Sequence, residues 1–86
     1  MDEIEELRRR VDAVDERIVK AIGERAKICK AIGAAKKKRG MSVRDVAREN
    51  HVYVLVKQKA LEFDLNPLEI EVIYREIVNI CSAVQE

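Results

Sequence analysis

Arg25 is the residue that most needs a chemical explanation. Apolar residues recur from Ile4 at alternating steps of three and four through Leu7, Val11, Val14, Ile18 and Ala21, and the next step lands on Arg25. A guanidinium in an apolar seam is costly unless an anion accompanies it, because it cannot shed its proton. Lys36 follows eleven residues later, three helical turns on and within ~20° of the same face, with Cys29 and Ile32 between the two. Two cations flanking a short apolar floor suit a small anion. Read alone, these residues leave other outcomes open. Arg25 can reach solvent past Ala21 and Ala26 or pair with an internal carboxylate, and Lys36-Lys37-Lys38-Arg39 can be a solvated basic run or a weak nucleic-acid patch. No aromatic residue stands beside that run, which weakens the nucleic-acid version.

Further along, Asp45, Arg48 and Glu49 share a helical face at spacings of three and four, a pattern that on an ordinary surface is an ion-pair cluster of little worth. Val78, Cys81 and Gln85 align near the C-terminus, and a terminal glutamine is ordinarily just solvated. His51 is the only histidine and is expected to be structural or exposed; no Cys/His cluster has metal-ligand spacing, so neither metal nor cofactor is expected.

The elements that would carry these residues are helices. The chain has 86 residues, 48% of them hydrophobic, 38% charged and only 3% aromatic, which suits a charged all-α protein of one domain, spanning 1–86, better than a β-sandwich or a disordered tail. Proline is absent from Asp2 to Arg39 and the apolar phase continues through Ile28, Ile32 and Ala35, predicting one very long helix over about 2–39. Gly23 and Gly33 weaken it by ~1 kcal/mol each relative to alanine, and Gly40 ends it. Ser42, with Asp45 three residues later, reads as a capping box that starts a second helix over about 43–63. His51 to Val56 is rich in β-branched residues, but no turn residues bound it and no second strand exists to pair with it, so helix is expected there too. Asn66-Pro67-Leu68-Glu69 supplies a cap, a proline at the first helical position and an early glutamate for a third helix over 67–85.

A 38-residue helix would be about 57 Å long, against a radius of gyration of ~12 Å for a compact chain of this size. Two shorter helices cannot cover its seam, so an intertwined homodimer is expected. A formal net charge of +1 offers no global field for nucleic acid or a membrane, and no apolar run approaches the ~20 residues of a bilayer span. Cys29 and Cys81 lie in helical apolar stripes of a chain without a signal peptide, which predicts free buried thiols and a cytoplasmic protein.

Taken together, these residues resemble the all-helical class of chorismate mutases. The similarity runs over nearly the whole chain, from Leu7-Arg8 and Val14-Asp15-Glu16 through Glu24-Arg25, Ile32-Gly33 with Lys36, Val43-Arg44-Asp45 and Arg48-Glu49 to Gln85. The resemblance implies an enzyme of aromatic amino-acid biosynthesis that rearranges chorismate to prephenate without cofactor, metal or nucleophile. It implies that Arg25, with Arg8 from the other subunit, binds the substrate carboxylates, and that Lys36 reaches a carboxylate and the ether oxygen. Gln85 would donate to that oxygen, Glu49 would accept from the ring hydroxyl with help from the backbone near Asp45, and Arg48 would orient these acids. Val78 and Cys81 would line the substrate. The family often has serine at the position of Cys81, and a thiol is a poorer donor. Spacing agrees on one point independently: Arg8 and Arg25 are 17 residues apart, ~25 Å along one helix, and share a small ligand only if Arg8 comes from an antiparallel partner. An isochorismate–pyruvate lyase of the same fold and a non-catalytic helical dimerisation module are the competing readings.

Overall fold

The computed structural model describes residues 2–86 and contains three helices: α1 over Glu3–Lys38, α2 over Val46–Glu62 and α3 over Pro67–Gln85. The all-α expectation holds, and the stretch from His51 to Val56 lies inside α2. Asp2 caps α1 by accepting from the Ile4 N–H, while Glu3, Glu5 and Glu6 in the first turn and Lys36, Lys37 and Lys38 in the last complement the helix dipole. Gly40 adopts φ +64°, and the Gly40 and Met41 N–H groups donate back to the carbonyls of Lys37 and Lys36, the closed turn that only a left-handed residue makes easily.

The second helix starts three residues later than the capping-box reading of Ser42 predicts. Asp45 is itself the cap, its Oδ1 accepting from the Arg48 N–H at 3.0 Å, and residues 41–45 stay in the loop. A carboxylate is at least as good a cap as the serine, and the loop conformation frees the Val43 carbonyl for Lys36, as described below. Asn66 caps α3 as its spacing predicts, accepting from the Leu68 and Glu69 N–H groups with Pro67 at the first position.

α3 packs against both other helices, whereas the backbones of α1 and α2 stay apart. α3 runs back along α2 as a hairpin and lies parallel to the second half of α1. Lys57 on α2 pairs with Glu71 on α3 at 2.9 Å, Arg75 adds a second bond to Glu71 at 2.8 Å, and the Arg75 guanidinium stacks 4.7 Å from the centroid of the buried Tyr53 ring. Hydrogen bonds from Lys57 and then Arg75 hold the Glu71 carboxyl below its ordinary range.

The core is thin. Cys29, Gly33, Tyr53, Ala60, Val78 and Gln85 are buried among the described residues, and every residue from Asp2 to Ala21 is exposed. Along that first half of α1, Ile4 is 56% exposed, Val11 57% and Ile18 51%, so the apolar seam lies open from end to end. The chain is 58 Å long with a radius of gyration of 16.2 Å, well above the ~12 Å of a compact chain. No helix among the described residues is long and apolar enough to cross a membrane.

Candidate active site

The turn after Gly40 brings the loop back over the end of α1, and Lys36 is the residue it folds onto. Its Nζ donates to the Val43 carbonyl at 2.7 Å and to Gln85 Oε1 at 2.9 Å, so it ties the α1–α2 loop to the end of α3. An ammonium has three N–H groups, and one is left for a ligand. Gln85 is only 8% exposed. Because Lys36 can only donate, the Gln85 amide must turn its oxygen to the lysine and its nitrogen the other way, where Nε2 donates to Cys81 Sγ at 3.2 Å.

Cys29 and Cys81 form a disulfide between α1 and α3, with Cα atoms 5.3 Å apart, where the sequence predicts two free thiols. Each cysteine fits its own helix stripe; only the parallel packing of α1 and α3 reveals that the stripes meet in register, with Cys29 on Cys81 and Gly33 on Gln85 at the same separation of 52 residues. Cys81 therefore has no S–H to offer a carboxylate, and the argument from free thiols to a reducing compartment falls with it. The sulfurs instead accept: Arg25 Nη1 lies 3.8 Å from Cys29 Sγ.

Arg25 is half-buried, with its guanidinium 6.0 Å from the Tyr74 ring centroid, and no carboxylate pairs with it among the described residues. Lys36 and Arg48 likewise make no ion pair there. Glu49 is held, but by Arg44: the Arg44 Nε donates to Glu49 Oε2 at 2.7 Å, where the resemblance implies Arg48 as the orienting cation. Arg44 stands in the loop ahead of α2, so its side chain folds back along the helix from outside the spacing rule. Arg48 contacts the other acid through its backbone, as the donor to the Asp45 cap.

Arg25, Lys36, Asp45, Arg48, Glu49, Val78, Cys81 and Gln85 line one cavity of about 320 Å³, with Cys29 and Ile32 in its wall. That volume suits a small molecule. Val43, Val52 and Ser82 also line it. Val52 went unread in the sequence, although it lies three residues beyond Glu49 on the same helical face. Arg8 is not in this cavity; it sits on the exposed half of α1, ~25 Å away along the helix. Three unpaired cations, with one carboxylate neutralised by Arg44 and the other engaged as a cap, give a cavity fitted to an anionic ligand.

Residues 7–86 match the family described as chorismate mutase type II. Over the whole chain the sequence is 35% identical to the bifunctional chorismate mutase/prephenate dehydratase of Aquifex aeolicus, of which it spans only a quarter (25%) of the length. It is 26% identical, over 77% of this chain and 67% of the relative, to the chorismate mutase of Methanocaldococcus jannaschii.

Proposed function

Because the chain belongs to the type II chorismate mutase family, we propose that it rearranges chorismate to prephenate in the cavity between α1, α2 and α3. The observation that carries this reading is the convergence of Arg25, Lys36 and Arg48, free of internal carboxylate partners, on a small cavity that also holds a buried, oriented glutamine amide.

The reaction breaks a carbon–oxygen bond and forms a carbon–carbon bond within one molecule, so the site must supply conformation and charge. Arg25 anchors one carboxylate of the dianion, and cations fixed at both ends of the cavity hold the substrate in the compact shape from which it reacts, which lowers the entropic part of the barrier. As the ether bond breaks, negative charge grows on its oxygen. The remaining N–H of Lys36 and the Nε2 of Gln85 are adjacent donors for that charge, and neither needs to reorganise because Val43, Cys81 and each other already hold them. Glu49 keeps Oε1 for the ring hydroxyl while Arg44 occupies Oε2. A millionfold acceleration requires ~8 kcal/mol, within reach of conformer restriction plus two charge-directed hydrogen bonds.

The open seam of α1 supports an antiparallel homodimer in which the second copy covers Ile4 to Ile18 and delivers its Arg8 to this cavity, giving two shared sites per dimer. Incubation with chorismate, following its loss and the appearance of prephenate, tests the reaction. Turnover of isochorismate to salicylate with chorismate left untouched would instead identify the lyase.

A further inference from the structure

Gly33 is buried on α1 in regular helical conformation, so nothing in its backbone requires glycine, and alanine would make a better helix. What excludes alanine is α3. A Cβ at Gly33 would stand 2.8 Å from Gln85 Cα, 2.9 Å from its Cβ and 3.0 Å from its Cγ. The nearest atom is backbone, so no side-chain rotation relieves the overlap.

We propose that Gly33 is a positioning residue for the rearrangement: lacking a Cβ, it lets the last turn of α3 seat on α1 so that Gln85 Oε1 meets Lys36 at 2.9 Å and both side chains are held in the wall of the cavity. The inference rests on the chorismate mutase reading of the cavity. The disulfide sharpens it. One helical turn earlier on both helices, Cys29 is bonded to Cys81, so α3 cannot slide away as a whole to accommodate a methyl group. The adjustment must fall on the turn that carries Gln85, lifting it by roughly half an ångström or more before ordinary contact is restored. The Lys36–Gln85 contact then stretches from 2.9 Å toward the limit of a hydrogen bond, and the Val43 carbonyl is left as the lysine's firmer partner. Misplacement on this scale at a reacting centre costs activity rather than binding.

The test is Gly33→Ala in the oxidised, full-length protein, assayed for chorismate turnover. The expected result is a kcat lower by on the order of 10- to 100-fold with KM within about threefold, because the cations that hold the carboxylates are untouched. In a Gln85→Ala background the same substitution should cost less than about twofold further, since the amide it displaces is already gone. A kcat near wild type, or penalties that multiply in the double variant, would overturn the proposal by showing that Gly33 acts through packing alone. Should Gly33→Ala not fold, it is combined with Cys29→Ser and Cys81→Ser, which free the last turn to lift, and compared with the Cys29→Ser, Cys81→Ser parent. Folded protein with kcat still depressed supports the proposal, and parental kcat overturns it. A wild-type chain that leaves chorismate unchanged overturns the function itself, an outcome distinct from all of these.

Discussion

The Gln85 amide is already turned by Lys36, and an amide remains a donor at any pH. The wild-type rate should accordingly be flat from about pH 6 to 8, while Gln85→Glu should work only where the new carboxyl keeps its proton, moving the optimum toward the carboxylic range below about 5. A pH–rate profile of the variant that matched the wild type would remove Gln85 from the ether oxygen. If Arg25 anchors a substrate carboxylate, Arg25→Ala should lose about 100-fold or more in kcat/KM while sedimentation shows its assembly state unchanged. Arg25 was legible in the sequence because it interrupts a seam of apolar residues. Arg44 was not legible as the partner of Glu49, because it precedes the helix and reaches Glu49 across five residues, a spacing that no helical rule favours.

At the level of elements, the helices follow from local chemistry and their mutual fastening does not. Glu71 joins α2 to α3 through Lys57, and its carboxyl is held below the ordinary value by hydrogen bonds from Lys57 and Arg75. A depressed carboxyl contributes stability that is present above its unfolded value, about 4.3, and is lost as the pH falls through the lower folded value. Thermal melts between pH 5 and 3 should therefore show the wild type losing Tm faster than Glu71→Gln. The second fastening is the disulfide. Closing a chain segment of 52 residues corresponds to about 4 kcal/mol in the loop-entropy account. Reduction should lower the denaturant midpoint accordingly, and an unchanged midpoint would show that the helices hold their register without it.

As a whole molecule, one copy is a rod with its seam exposed and with Arg8 far from the cavity. If the second copy supplies Arg8, then Arg8→Ala and Arg25→Ala chains should each be nearly inactive alone. Refolded together in equal amounts, half of the dimers would pair one of each and carry a single intact site, restoring about a quarter of wild-type activity. Absence of any recovery in mixtures shown to contain heterodimers would rule out a shared site.

Much of this protein is decided by spacing alone. The three helices, the cap at Asn66 and the stop at Gly40 follow from steps of three and four and from backbone preferences acting within a few residues. So does the clustering of Arg25 with Lys36 on one face of α1. Tertiary structure decided what depends on two helices meeting: the Cys29–Cys81 bond, the hold of Lys36 on Gln85, and the seating of Gln85 against Gly33. The physical reason is the same in each case. A period of 3.6 residues tells which side chains share a face, but the register of one face against another is set by packing between residues about fifty positions apart, which no local pattern encodes.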